Sequence, residues 1–135
     1  MTIVVHADPA RPLGTFPLGE RRLTTFTGGT FRGADGTDLQ GVLADGGVDW
    51  QTIRSDGAVE LRARYALLTD RDEAIEVQSE GLRVMPTDDS EPVYFRTHIR
   101  LSTAAPRLAH LNDRIAVSTG ERLDDAVHIH ISEVL

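Results

Sequence analysis

The chain has 135 residues, a formal net charge of −7 at neutral pH, 40% hydrophobic residues and no cysteine. A domain of this length buries enough apolar surface to fold without a metal or a disulfide, and the lack of cysteine excludes disulfides, thiolate nucleophiles and zinc fingers. The acidic surface, over which the 14 basic residues are scattered, disfavours nucleic acids and membranes as partners.

Short runs rich in Val, Ile, Thr, Phe and Tyr alternate with turn residues along the chain. They predict strands, in chain order, at 2–7, 22–32, 38–44, 48–54, 58–69, 73–84, 92–103, 114–119 and 125–134. Turn sequences with Asp-Gly or Gly-Gly lie at 34–36, 45–47 and 55–57 and are typical of hairpins. The one predicted helix covers 106–113, with Pro106 near its start.

These elements predict the fold class. Short strands at regular spacing favour a sandwich or a barrel over βαβ units, and closure of a sheet removes exposed strand edges. We therefore predict a single all-β domain over residues 1–135, an antiparallel β-barrel of about eight strands with one short helix near 106–113. A barrel with that strand number has room for side chains or for one small ligand.

The alternation of apolar and polar residues predicts which side chains face the interior. In 59–67 and 94–101, apolar residues occupy one face of each strand, which is typical of half-buried strands. The opposite faces carry Arg62, Arg64, Tyr94, Arg96 and His98. Arg83, in contrast, shares a face with Ile75 and Val77, so it is the best candidate for an arginine that points inward.

An ordered set of short motifs, none of them specific alone, covers nearly the whole chain. The motifs are Gly28-Gly29-Thr30-Phe31-Arg32-Gly33, Leu39-Gln40-Gly41-Val42-Leu43, Gly46-Gly47-Val48-Asp49-Trp50-Gln51, Asp56-Gly57, Ala63-Arg64-Tyr65, Thr69-Asp70, Gly81-Leu82-Arg83, Tyr94-Phe95-Arg96-Thr97, Leu111-Asn112 and Gly120-Glu121-Arg122. In this order they resemble the UPF0311 family, also called DUF3237. The resemblance implies a small calycin-like barrel, similar to the allene oxide cyclase barrel.

The same resemblance says little about chemistry, because most members of the family have no assigned function. Some members lie near genes for natural-product or aromatic-compound metabolism. The chain departs from the family at Leu101, Leu108 and His110, where aromatic residues are usual. If those positions line the interior, the resemblance implies a pocket of different shape in this chain.

Asp49 and Trp50 form the most interesting pair of neighbours. A carboxyl group desolvated by an aromatic side chain has a raised pKa, which suits general acid–base catalysis. The alternative is structural: Asp49 follows two glycines and could bind turn amides, while Trp50 fills one end of the barrel.

Arginines from three strands, Arg64, Arg83 and Arg96, are candidates for an anion site. A guanidinium group is permanently charged and binds planar anions such as carboxylates, phenolates and enolates as a fork. Alternation favours surface ion pairs for Arg64 and Arg96, although a β-bulge would turn either of them inward.

The His128-Ile129-His130 sequence places two imidazoles on one side of a predicted strand. Two histidines at this spacing could share a metal ion, with His98 as a third ligand, but nothing in the spacing requires it. An exposed strand face is the simpler interpretation, and we predict no metal site and no cofactor.

These observations favour a cofactor-independent enzyme of the isomerase, cyclase or lyase type, acting on a small organic molecule bound inside the barrel. The predicted catalytic residues are Asp49 as acid or base and Arg83 with Arg96 as the anion clamp. The predicted substrate-binding residues are Trp50, Arg64, Tyr65, Tyr94 and His98. A non-catalytic binding barrel and an assembly subunit without a ligand remain the alternatives.

The expected partner is therefore a small molecule, and association with further copies of the chain stays open. Residues 1–8 carry neither a basic segment nor a small-residue cleavage site of a secretory signal. Together with the absence of cysteine, this predicts a cytoplasmic location.

Overall fold

Ten strands and one short helix follow one another in the computed structural model, which describes residues 1–135. They are β1 (Thr2–Ala7), β2 (Arg11–Phe16), β3 (Gly19–Arg32), β4 (Gln40–Leu43), β5 (Val48–Ile53), β6 (Val59–Thr69), β7 (Ala74–Val84), β8 (Tyr94–Thr103), the 3₁₀-helix (Pro106–Asp113), β9 (Ile115–Leu123) and β10 (Ala126–Glu133). The helix lies where it was predicted, whereas β2 was not predicted. No helix has the length and apolar character needed to cross a membrane.

The strands close into an antiparallel barrel with eight positions around its wall. From β1 the order runs through β10, β9, β8, β7 and β6, and β3 completes the ring by pairing with β1. Between β6 and β3, the strands β4 and β5 share one position, because β4 pairs with one half of each neighbour and β5 with the other half. The predicted all-β antiparallel barrel of about eight strands is confirmed.

The long strand β3 spans both halves of the barrel wall. Its first half pairs with β2 and β5, and its second half pairs with β1 and β4. The two halves meet near Gly29, whose φ of 148° favours glycine. A Cβ atom at this position would overlap the carbonyl oxygen of Val4 on β1. Glycine therefore lets β1 approach β3 closely where the wall changes partners.

Apolar side chains fill one end of the barrel. The largest fully buried side chains are Ile3, Leu67, Ile75, Val77 and Ile99. The 3₁₀-helix covers this end with buried Leu108, and the Asn112 side chain exchanges hydrogen bonds of 2.8 and 3.1 Å with the backbone of Thr103. Leu101 and Leu108, where the chain departs from the family, belong to this core.

Candidate functional site

The end of the barrel opposite the 3₁₀-helix is hollow. A cavity of about 470 Å³ opens there, within the range of about 300–1,000 Å³ that is usual for small-molecule sites. Its apolar wall includes Phe26, Leu61, Ala63, Phe95 and Ile129. Its polar groups include Arg22, Asp49, Gln51, Arg83 and Arg122. An apolar wall with a few converging polar groups is the usual character of a ligand site.

Asp49 points into this cavity from β5 and is only 9% exposed. Its Oδ1 accepts a hydrogen bond of 3.0 Å from the backbone amide of Arg62 on β6, and its Oδ2 accepts one of 2.8 Å from Gln51 Nε2. Burial raises the pKa of Asp49, and this effect outweighs the two hydrogen bonds and the nearby charges of Arg83 and Arg22. A carboxyl group with a raised pKa exchanges its proton closer to neutral pH, as general acid–base catalysis requires.

A directional chain of hydrogen bonds joins Arg22 to Asp49. Arg22 Nη2 donates to Gln51 Oε1 at 2.9 Å, and Gln51 Nε2 donates to Asp49 Oδ2 at 2.8 Å. Because a guanidinium group can only donate, it orients the Gln51 amide with its NH₂ group toward position 49. Position 49 must therefore present an acceptor, which a carboxylate does.

Tyr65 lines the cavity from β6, on the side of the barrel core. Its ring contacts Phe26 edge-to-face, with the ring centroids 5.3 Å apart. Burial, and secondarily the charge of Asp49, raises the pKa of the Tyr65 phenol far above its ordinary value. The phenol therefore stays protonated and can donate a hydrogen bond to a bound molecule.

Arg83 reaches the cavity from β7, as its shared face with Ile75 and Val77 predicted. Burial, followed by the like charge of Arg22, lowers the pKa of its guanidinium group, and Arg122 acts in the same direction. Three arginines on three strands, Arg22 on β3, Arg83 on β7 and Arg122 on β9, thus line one cavity.

Five residues predicted for the site lie instead on the outer face of the barrel. Arg64 donates from Nη2 to both carboxylate oxygens of Glu76, at 3.0 and 3.1 Å. His98 Nε2 lies 3.8 Å from Glu80 Oε2 on the same outer surface. Arg96 stacks on the ring of Tyr94 with its guanidinium carbon 5.0 Å from the centroid, and borders an outer hollow beside the cavity mouth.

Arg64, Tyr94, His98 and Trp50 therefore do not line the cavity, and Arg96 reaches only the outer hollow at its mouth, which it shares with Arg83. The physical reason is that successive side chains of a strand point to opposite faces. Asp49 faces inward, so its neighbour Trp50 faces outward and is 41% exposed. No bulge reverses this order, because the pairing of β5, β6, β7 and β8 is regular.

Of the predicted residues, the structure brings Asp49, Arg83 and Tyr65 together around the cavity. Sequence reasoning missed Arg22, Gln51 and Arg122. The available signal was alternation, because residues two apart on a strand share a face. Gln51 is two residues after Asp49, and Arg22 lies on the same face of β3 as Thr24 and Phe26.

The two histidines of β10 lie on its outer face. His130 Nδ1 is 3.3 Å from Thr2 Oγ1, and its Nε2 is 3.8 Å from Glu121 Oε1. No group of three His, Cys, Asp or Glu side chains is placed to hold one metal ion.

Comparison with known sequences shows a match over almost the whole chain. The family model described as "Protein of unknown function (DUF3237)" matches residues 1–134. A UPF0311 protein from Rhodopseudomonas palustris is 28% identical over 145 residues, covering 99% of this chain and 93% of that protein. A UPF0311 protein from Clostridium acetobutylicum is 31% identical over 121 residues, covering 82% of this chain and 75% of that protein.

Solved structures share the barrel. A beta-barrel like protein from Acinetobacter baumannii has a TM-score of 0.88 and 30% identity, covering 98% of this chain and 90% of that chain. A conserved protein of unknown function from Rhodopseudomonas palustris has a TM-score of 0.89 and 31% identity, and the match covers 99% of this chain and 93% of that chain. An enzyme from Penicillium herquei has a TM-score of 0.73 and 20% identity, and the match covers 98% of this chain and 91% of that chain. At this identity the likeness shows a shared fold alone.

Proposed function

The chain belongs to the DUF3237 family, and we propose that it is a cofactor-independent enzyme that moves a proton on a small organic molecule held in its barrel cavity. The observation that carries this proposal is Asp49, a buried carboxyl group with a raised pKa that lines a cavity of ligand size. The barrel of the Penicillium herquei protein, described as an enzyme, illustrates that this fold can host catalysis.

The chemistry best suited to this arrangement is proton transfer next to a carbonyl group. The Asp49 carboxylate removes a proton from the carbon beside the carbonyl, and the C–H electron pair moves to give an enolate. The phenolic hydrogen of Tyr65 stabilises the oxygen on which negative charge develops. If the substrate carries a β,γ double bond, return of the proton from Asp49 to the γ-carbon of the conjugated enolate gives an isomer. If the β-carbon carries a leaving group, the enolate electrons form an α,β double bond and the group departs with its bonding pair, which is a lyase reaction.

A second candidate, a binding protein without turnover, is favoured by one observation. Both Asp49 oxygens already accept hydrogen bonds from the protein, one from a backbone amide and one from Gln51. A carboxylate that served only to hold β5 against β6 would accept the same two hydrogen bonds. The two functions differ in whether a carbon-bound proton of a ligand exchanges with solvent.

The experiment is hydrogen–deuterium exchange at carbon in D₂O, followed by proton NMR. The probes are 4-oxocyclohexanecarboxylate and levulinate. Each has exchangeable protons on the carbons beside a ketone, and each has a carboxylate group several bonds away from that ketone. We expect the protein to accelerate exchange, with a rate that rises with pH through the raised pKa of Asp49. The direction follows because only the ionised carboxylate can act as the base.

Two features of this measurement decide between enzyme and binding protein. The control is the same protein heated until it is unfolded, which keeps the composition and removes the cavity. If the carbon-bound protons of both ketones exchange no faster with the protein than in buffer alone, at every pH, the proposed catalysis is contradicted and the binding function is favoured.

A further inference from the structure

The cavity arginines form no ion pair, although Asp49 lies near Arg22 and Arg83 and the chain carries 21 acidic and 14 basic residues. Six arginines elsewhere form ion pairs with carboxylates, namely Arg54, Arg62, Arg64, Arg71, Arg107 and Arg114. Arg22, Arg83 and Arg122 form none. The side chains of Arg83 and Arg122 also donate no hydrogen bond, and the side chain of Arg22 donates only to Gln51. Five arginines outside the cavity also lack an ion pair, namely Arg11, Arg21, Arg32, Arg96 and Arg100. What distinguishes Arg22, Arg83 and Arg122 is that their like charges line one cavity, which indicates a site for an external anion.

The positions of Arg22 and Arg83 make the missing partner costly, whereas Arg122 is exposed at the rim of the cavity. Arg22 and Arg83 are both partly buried, and the Nε atom of Arg22 is buried without an acceptor. A desolvated donor without an acceptor is destabilising, and like charges in a partly desolvated space repel each other more strongly than they do in water. An anion between the guanidinium groups would accept their free hydrogens and reduce this repulsion.

The carboxylates at the cavity leave those hydrogens free. The Asp49 oxygens accept from Gln51 and from a backbone amide, and neither forms an ion pair with an arginine. Asp8 and Asp125 also line the cavity, but both are exposed and neither forms an ion pair. Solvent and salt screen exposed charges such as these.

An aromatic ring lines the cavity from β8, the strand between those that carry Arg83 and Arg122. Phe95 on β8 is the strand partner of Arg83 on β7. Its ring packs against Gly120, two residues before Arg122, so closely that a Cβ atom at Gly120 would lie 2.9 Å from three ring carbons. Glycine at this position therefore keeps the ring against β9, next to two of the three arginines.

We propose that Arg22, Arg83 and Arg122 form a carboxylate-binding subsite, so that the ligand is an organic acid with a planar apolar body against Phe95. A guanidinium fork matches the two oxygens of a carboxylate, and the adjoining ring favours an acid attached to a flat hydrocarbon. The inference deepens the proposed function by naming the class of its substrate, and it rests on the same cavity. It requires binding only, so it can be tested separately from proton transfer.

The test is a titration by isothermal calorimetry with benzoate, its neutral counterpart benzamide, and inorganic phosphate. The proteins are the unmodified chain, Arg83→Gln, Arg122→Gln and the matched control Arg100→Gln, which removes an exposed arginine outside the cavity. We expect saturable benzoate binding that weakens by about tenfold in each cavity variant and stays unchanged in Arg100→Gln. Thermal melts check that each variant is folded.

The two other probes and Asp49→Asn complete the design. Benzamide is expected to bind about tenfold more weakly than benzoate because it lacks the charge, and phosphate is expected to compete poorly because it lacks the ring. Benzoate binding is expected to persist in Asp49→Asn, so failure of proton transfer and failure of the subsite give different results. The subsite is overturned if benzoate does not bind saturably, binds all four proteins equally, or is matched by benzamide or phosphate.

Discussion

The Asp49→Asn variant is expected to slow carbon-proton exchange by about 10²–10⁴-fold, the usual contribution of a general acid or base. The substitution removes the group that takes the proton and keeps the size of the side chain. The measurement is the NMR exchange rate with 4-oxocyclohexanecarboxylate at saturating concentration, compared between the two proteins. The matched control is Asp45→Asn, which removes an equal charge from an exposed position in the turn before β5 and is expected to leave the rate unchanged.

The same variant has an informative stability profile with pH. Because burial raises the pKa of Asp49 above its ordinary value of 3.8, the native state binds the proton more tightly than the unfolded state. The stability of the unmodified protein relative to Asp49→Asn therefore falls as pH rises from 3.8 to the raised pKa, and is constant beyond it. Urea unfolding of both proteins from about pH 3 to about pH 8 measures this difference.

A structural role for Asp49 predicts a different pair of results. Asparagine has one oxygen, so it cannot replace both acceptors, and the Gln51 amide cannot turn over while Arg22 donates to its oxygen. One unsatisfied donor costs about 1–3 kcal/mol. Full exchange activity in Asp49→Asn together with a lowered melting temperature would rule out the catalytic role and leave the structural one.

The Leu67→Ala variant is expected to lower the free energy of unfolding by about 2–5 kcal/mol, as for other fully buried leucines. Leu67 is 0% exposed, and its strand partners Leu43 and Ile75 are also buried in the core. Removing its side chain leaves a cavity at the packed end that closed strands cannot easily collapse to fill. Urea unfolding followed by circular dichroism measures the change.

The matched control for this prediction is Leu123→Ala near the open end of the barrel. Leu123 is 45% exposed, and substitutions at such positions usually change stability by only about 0.5 kcal/mol. Equal losses in the two leucine variants would mean that the packed end does not carry the stability of the barrel.

Alternation along the strands predicts which side chains reach the cavity better than the chemistry of single residues does. Alternation placed Arg64 and Arg96 outside and Arg83 inside, and the structure agrees with all three placements. The prediction of Arg64 and Arg96 for the site rests on the chemistry of the guanidinium group and departs from alternation. The prediction of Trp50 departs from it too, because two neighbours on a regular strand cannot both face the interior.

The missing members of the site depend on which strands meet across the barrel. Arg122 lies on β9 and Arg22 on β3, and neither strand pairs with β7, which carries Arg83. Periodicity within a strand indicates a face but not which distant faces converge after closure. Strand β2 was not predicted for a local reason, because its segment has no apolar alternation. Pro12 and Gly14 interrupt this segment and Pro17 follows it, and both residue types disfavour strands.

Separating the packed end from the hollow end makes this barrel easy to adapt. Ile3, Leu67 and Ile75 hold the strands together at one end, while Arg22 and Arg122 border the cavity at the other. Substitutions at the rim can therefore alter ligand selectivity without weakening the core. A lineage built on such a scaffold can keep its backbone while its chemistry diverges, and a laboratory library confined to the rim should yield mostly folded variants.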